Sequence, residues 1–376
     1  MSIQVLQIER KIRNNPIWPV SLADFETSPA GSIAPSILMD EPTITLYSLD
    51  HANRRAIFVE TPPEVDLSQA PFVYQWQYEH ALRLFVAPYD LLDDLTGTID
   101  NRGENLIFIY STGRCGSTLF SQVLNQAPAV ISLSEPDVYT VLVGLRNPNG
   151  GYDPEISRLI RALTLLLCKP MPAKQRPQWW AIKFRAMAIE LSHLLYDQFP
   201  QAKTVFMYRN AESWARSSAS AFRLLDPQMA ATLTAFSQQF PQWMPLMQAY
   251  TPAADTVSLV SRFLAPLWLS LMQRYLELHE RGVPMCALRY EDLRTAPAEM
   301  LASVFAYCGL PTANLHDIVA GLDKDSQQGT TLSQEAARKN PYVLTDQHLS
   351  EIRSLLQAHP VLNTPDIILP NTLSLR

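Results

Sequence analysis

The stretch LIFIYSTGRCGSTLFSQVL, residues Leu106 to Leu124, decides how this chain is read. An apolar, aromatic run from Leu106 to Tyr110 gives way to a small polar turn holding Gly113 and Gly116, and apolar residues then return at helical spacing. The order is strand, loop, helix. Such a loop presents consecutive backbone N–H groups at a helix N-terminus, where unpaired donors and the positive end of the helix dipole together favour an anion. Phosphate or sulfate is the expected occupant.

The same rhythm continues outward from this unit. AVISL (Ala129 to Leu133), WWAIKF (Trp179 to Phe184), KTVFMYR (Lys203 to Arg209) and MCALRY (Met285 to Tyr290) read as strands. Helices are expected at Ser117 to Gln126, at Ala188 to Phe199, after Asn210, as segments filling Gln228 to His279, and at Ala296 to Pro311, the last closed by Gly309 and Pro311. Alternating strands and helices predict an α/β protein with a central parallel sheet between two helical layers over residues 101–376. Residues 1–100 have another character and read as an N-terminal accessory lobe. They hold Pro-rich turns, a hairpin in TITLYSLDHANRRAIFVET (Thr43 to Thr61) and a helix-like YQWQYEHALRLFVAPYDLLDDL (Tyr74 to Leu95). The tail from His359 to Arg376 is Pro-rich and reads as irregular surface chain.

Composition narrows the function classes. The chain has 376 residues, 47% hydrophobic and 18% charged, with a formal net charge of -6, which argues against a general nucleic-acid binder. Any anion site must be local. Glu9, Arg10, Lys11 and Arg13 stand where a signal peptide needs an apolar core, and no long apolar run follows, so a cytoplasmic protein without a membrane span is expected. Cys115, Cys168, Cys286 and Cys308 are scattered and the seven histidines are unpaired in sequence, so no metal is expected.

Competing phosphate loops fail on their own terms. A nucleoside-triphosphatase loop has a lysine just before its hydroxyl residue, and this loop has none. A dinucleotide fingerprint needs three glycines, and here there are two at another spacing. What remains is a basic residue, a glycine and two hydroxyls: Arg114, Gly116, Ser117 and Thr118.

STGRCGSTLFSQVL resembles the 5′-phosphosulfate-binding loop of the sulfotransferases, which use 3′-phosphoadenosine 5′-phosphosulfate (PAPS). Two further segments resemble that family in the same order. KTVFMYRNAESWARSS is similar to its second strand-to-helix unit, in which an arginine ends the strand and a later serine meets the 3′-phosphate; Arg209 and Ser217 match. LRYEDLRTAPAEMLASVFAYCGLP resembles its late strand-turn-helix. The resemblance spans Asn105 to Pro311 and implies the P-loop sulfotransferase fold, PAPS as co-substrate and 3′-phosphoadenosine 5′-phosphate (PAP) as product.

The resemblance also implies roles. Arg114 would face the bridging and equatorial oxygens, and Cys115, Gly116, Ser117 and Thr118 would hold the 5′-phosphate, Cys115 through its backbone since the family has serine there. In-line sulfuryl transfer spreads charge over the equatorial oxygens, so positioning and electrostatics do most of the catalysis. Glu135, in ISLSEPDVY after the second strand, resembles the glutamate base of the membrane-type and bacterial relatives, with Asp137 as the other carboxylate in reach. Lys183 resembles a lysine that contacts the transferred group or the acceptor. Leu119 stands where many cytosolic relatives stack adenine on Trp, and the polar segment Leu322 to Asn340 corresponds in place to loops that close over the nucleotide. The implied acceptor is a small-molecule or carrier-attached hydroxyl or amine. Two other classes remain open at this point: a different P-loop transferase, such as a small-molecule kinase using ATP, and a catalytically inert nucleotide-binding relative.

Overall fold

Among the described residues, two five-stranded sheets carry the fold in the computed structural model. The structure describes residues 2–15, 18–97, 99–147, 154–172, 177–226, 228–229, 232–233, 241–253, 256–312, 318–319, 326–328, 330, 333–339 and 343–374. The chain divides into two compact units, one of Met1–Ile107, Leu124–Phe184 and Leu194–Ala202, the other of Phe108–Val123, Arg185–His193 and Lys203–Arg376.

The first sheet lies wholly in the first unit. Its strands are β1 (Ile3–Lys11), β2 (Phe25–Ile33), β3 (Ile44–Asp50), β4 (Arg55–Glu60) and β5 (Arg83–Pro88), in the order β2-β1-β5-β4-β3. Every neighbouring pair is antiparallel. β3 and β4 are the expected hairpin, turned at Asp50, whose side chain accepts from the Asn53 N–H, and at Arg54 in the left-handed region. The helix-like reading of Tyr74 to Leu95 is corrected. That stretch is a helix at Val73–His80, the strand β5, and a second helix at Tyr89–Thr96. β5 is the middle strand, paired on both edges, so the aromatic and β-branched run LFVA buries better in a ladder than in a helix. Pro88 then ends the strand. Helices Val138–Gly144 and Pro154–Leu167, much later in sequence, pack on β3. The first unit's core therefore joins early and late segments.

The second sheet comprises β6 (Leu106–Ser111), β7 (Val130–Ser134), β8 (Trp179–Lys183), β9 (Lys203–Tyr208) and β10 (Cys286–Arg289), in the order β10-β9-β6-β8-β7. It is the expected parallel sheet flanked by helices. The strand β6 begins in the first unit and ends in the second. Its side chains are all buried, as a strand covered on both faces requires. Helix Ser117–Gln126 follows the loop as expected. The expected Ala188 to Phe199 helix opens as a 3-10 turn, Ala186–Leu191, before the α-helix Ser192–Gln198. Helix Pro297–Cys308 ends at Gly309 (φ 72°), with the Gly309 and Leu310 N–H groups on the Ala306 and Phe305 carbonyls.

In Gln228 to His279 the long element is helix Leu259–Glu280, which packs on helix Asp346–Gln357. Residues 230–231, 234–240 and 254–255 of that stretch lie outside the described residues. So do 322–325, 329, 331–332 and 340 of the polar segment expected over the nucleotide. The described tail after Gln357 has no helix and carries a single bridge, Thr372 to Ala287. Among the described residues, no helix is long and apolar enough to cross a membrane.

Candidate active site

Parallel registers decide which side chains meet. In the second unit Arg289 of β10 lies opposite Tyr208 of β9, so the next residues, Tyr290 and Arg209, leave the sheet at the same level. The Arg209 guanidinium sits over the Tyr290 ring, 4.5 Å from its centroid, a contact worth about 0.5–2 kcal/mol. Carboxyl ends of strands are where open α/β sheets take ligands.

The loop after β6 is pinned from below. The Thr112 N–H donates to the Met207 carbonyl at 3.0 Å, and the Trp214 indole N–H donates to the Thr112 and Gly113 carbonyls at 3.0 Å each. Cys115 is fully buried, and its Sγ donates to the Met207 carbonyl at 3.3 Å. Its side chain thus anchors the loop to β9, leaving only its backbone for an anion. Gly113, Arg114 and Gly116 all have left-handed φ, of 70°, 50° and 79°. At Gly116 a Cβ would lie 3.1 Å from the Tyr290 ring, a tight contact added to a positive φ that already favours glycine. Ser117 and Thr118 open the following helix, where first-turn N–H groups lack intrahelical acceptors.

Residues distant in sequence converge on this loop. Arg114 donates from Nε to Ser217 Oγ at 3.2 Å and from Nη1 to Gln327 Oε1 at 2.6 Å. Arg209 donates from Nη1 to the Arg114 carbonyl at 3.1 Å and from Nε to Ser213 Oγ at 2.9 Å. Glu291 Oε1 accepts from Ser213 Oγ at 3.0 Å and from the Asn210 N–H at 3.1 Å. Asn210 in turn caps helix Ala211–Ala221 by accepting from the Glu212 and Ser213 N–H groups. Arg114, Cys115, Gly116, Ser117, Thr118, Arg209 and Ser217 are therefore one group. Two guanidiniums, three hydroxyls and a helix N-terminus suit two anionic groups on one ligand.

Ser213 and Trp214 lie inside the second strand-to-helix segment and Gln327 inside the polar segment expected over the nucleotide, but the sequence marked none of the three as a site residue. Glu291 lies in the first turn of helix Tyr290–Thr295 and ties that turn to the Arg209 strand end.

Glu135 and Lys183 form a second group, in the first unit. Ser134 of β7 lies opposite Lys183 of β8, so Glu135 follows immediately beyond that pair. The Glu135 N–H donates to the Lys183 carbonyl at 2.6 Å, and Lys183 Nζ is ion-paired with Glu135 Oε1. Both side chains are largely buried, 4% exposed for Lys183 and 14% for Glu135. Glu135 has φ 57°, the left-handed region that a non-glycine residue occupies at a cost of about 1 kcal/mol. Asp137 points elsewhere: its buried Oδ2 accepts from the Val20 N–H at 2.9 Å. Trp180 is half-buried, with its indole N–H on the Lys169 carbonyl at 3.4 Å. Among the described residues there is no cluster of three or more His, Cys, Asp or Glu able to hold a metal ion.

The chain matches the sulfotransferase domain family over residues 104–351. No curated protein matches it. Among solved structures it is similar to the mouse sulfotransferase SULT7A1 complexed with PAP, at 14% identity and TM-score 0.38, over 71% of this chain and 88% of that one. The sulfotransferase STF9 from Mycobacterium avium is 13% identical at TM-score 0.39, over 71% and 79%. A sulfotransferase from Alicyclobacillus acidocaldarius is 14% identical at TM-score 0.34, over 55% and 81%. At such identities and scores the assignment rests on the family match, which takes in β6 to β10 and both groups of residues. The chain belongs to the sulfotransferase domain family, the PAPS-dependent enzymes that its loop resembles.

Proposed function

We propose that this sulfotransferase moves the sulfuryl group of PAPS to a hydroxyl or amine acceptor by in-line displacement, with Glu135 as general base. The observation that carries the reading is the convergence of Arg209 and Ser217 on Arg114, across about a hundred residues of chain. When bound, PAPS supplies an activated sulfuryl group on a phosphate leaving group. Arg209 and Ser217 hold the 3′-phosphate. Gly116, Ser117 and Thr118 offer N–H and hydroxyl donors to the 5′-phosphate. Arg114 places its charge where the leaving oxygen becomes negative, which lowers the barrier more than it strengthens ground-state binding. Glu135 takes the acceptor proton, and Lys183 fixes the orientation of its carboxylate through Oε1. The proposed location is the cytoplasm.

Thermal unfolding tests the nucleotide half of this reading. PAP raises the melting temperature, whereas ATP with magnesium, lacking a 3′-phosphate, raises it little. Arg209→Ala weakens PAP binding by about 1.5–3 kcal/mol, the scale of a charge-assisted hydrogen bond. Equal protection by ATP and PAP would return the chain to the kinase reading.

A further inference from the structure

Glu135 sits in a backbone conformation that persists only where its surroundings over-determine it. Two of the groups that hold it come from the first hundred residues. Just before it, Ser134 Oγ donates to the Pro71 carbonyl at 2.7 Å. Just after it, beyond Pro136, the Asp137 carboxylate accepts from the Val20 N–H at 2.9 Å. Asp137 stands at the N-cap of helix Val138–Gly144 yet makes no side-chain cap bond there, so its carboxylate is turned to Val20 instead.

Val20 is itself gripped. Ser48 Oγ of β3 donates to its carbonyl at 2.5 Å. Arg13 and Asp24, before and after Val20 in sequence, pair at 3.0 Å with side chains only 8% and 12% exposed. The Tyr47 hydroxyl donates to the same Asp24 oxygen at 2.8 Å. Arg13 also donates to the Pro19 carbonyl, and its backbone N–H meets the Tyr78 hydroxyl at 2.9 Å. A buried, hydrogen-bonded pair of charges makes the chain at Pro19 and Val20 costly to displace. All of these residues belong to the first unit.

We propose that the N-terminal antiparallel-sheet region is a clamp for the catalytic turn, holding Glu135 from both sides through Ser134 on Pro71 and Asp137 on Val20. The proposal rests on the reading of Glu135 as the base. In it Asp137 and Ser134 are positioning residues, and the first hundred residues act on turnover without touching nucleotide. A base displaced by about an ångström loses up to roughly 100-fold in rate, so the clamp acts on kcat and leaves PAP affinity alone.

The test uses the full chain and four variants: Glu135→Gln, Asp137→Asn, Asp137→Ala and Ser134→Ala. PAP release from PAPS is followed with water as acceptor, and with added phenols and aliphatic alcohols of graded acidity. PAP affinity is measured by calorimetry, and the melting temperature checks folding. Asp137→Asn keeps an oxygen for the Val20 N–H and cannot accept a proton, so it retains turnover to within about tenfold, while Asp137→Ala loses on the order of 10- to 100-fold in kcat with unchanged PAP affinity. Ser134→Ala, a small change less prone to unfold the chain, lowers kcat in the same direction. Full turnover in both Asp137→Ala and Ser134→Ala, beside a Glu135→Gln that has lost its activity, overturns the clamp and spares the base. If Asp137→Asn is as defective as Asp137→Ala, and its defect grows as the acceptor becomes a weaker acid, Asp137 is the base and the proposal falls. Wild-type turnover in Glu135→Gln across the series removes the underlying reading itself.

Discussion

Arg114 and Glu135, the residues proposed to meet the leaving-group charge and to remove the acceptor proton, both have left-handed φ, at 50° and 57°. Each costs about 1 kcal/mol relative to ordinary backbone, and each is held by hydrogen bonds at its own peptide unit: the Arg114 carbonyl by Arg209, the Glu135 N–H by Lys183. The turn geometry thus aims the side chain, and the neighbours offset its cost. Gln327 gives a direct way to test what Arg114 does. Its amide accepts from the guanidinium without neutralising it. Gln327→Glu places a carboxylate on the same nitrogen, which competes with an anionic ligand, and PAP affinity falls by tenfold or more on the order of a charge-assisted bond. Gln327→Ala removes one neutral acceptor and changes affinity far less. Calorimetric titration with PAP distinguishes these, and equal affinity in wild type and Gln327→Glu would show that Arg114 does not meet the nucleotide. Cys115 shows that a motif position can serve packing: the family's serine is replaced by a thiol whose Sγ goes to β9.

At the scale of elements, parallel strand register does the assembling. Tyr208 opposite Arg289 brings Arg209 to Tyr290, and Ser134 opposite Lys183 brings Glu135 to Lys183. A shift of either register by one residue would turn every side chain to the other face of the sheet and separate these partners. Ion pairs also join helices to the connecting turns. In the second unit, helix Leu259–Glu280 is tied to the turn Ala186–Leu191 by the Arg274–Glu190 pair at 2.8 Å, with side chains 14% and 6% exposed. Arg274 is also paired with Glu277. Removing the Glu190 carboxylate leaves a largely buried guanidinium with Glu277 alone of its two carboxylate partners, so Glu190→Ala lowers stability by about 1–3 kcal/mol in denaturant titration. Glu190→Gln keeps an acceptor for Nε and loses less. Identical midpoints for both variants and wild type would show that the pair contributes nothing.

For the whole molecule, the first hundred residues are partners to later chain throughout the first unit. Asn125 donates to the Ser68 carbonyl at 2.6 Å, and Arg161 donates to the Ile99 carbonyl at 2.9 Å. Buried Lys169 reaches the Leu38 and Glu41 carbonyls, both at 2.7 Å. Burial lowers the Lys169 pKa to about 8 from 10.5, against opposing contributions from Glu41 and Asp40. Between those two values the unfolded chain keeps a proton that the folded chain has released, so this group makes stability rise with pH from about 8 towards 10.5. Urea titrations of wild type and Lys169→Met at pH 8 and about 10 should show a stability difference that shifts towards the wild type at the higher pH. A difference independent of pH would mean that Lys169 titrates as an exposed lysine. Sequence alone determined the α/β class, the loop after β6, and the residue types that suit an anion there, because strand and helix periods and glycine turns are local properties. The corrected stretch Tyr74 to Leu95 marks the limit: its strand β5 exists because β1 and β4 flank it, a fact of pairing partners that no local pattern carries. The same holds for the site. Gln327 on Arg114, the left-handed backbone of Glu135, and the grip of Val20 and Pro71 on its turn join residues far apart in the chain, and only packing in three dimensions selects such partners.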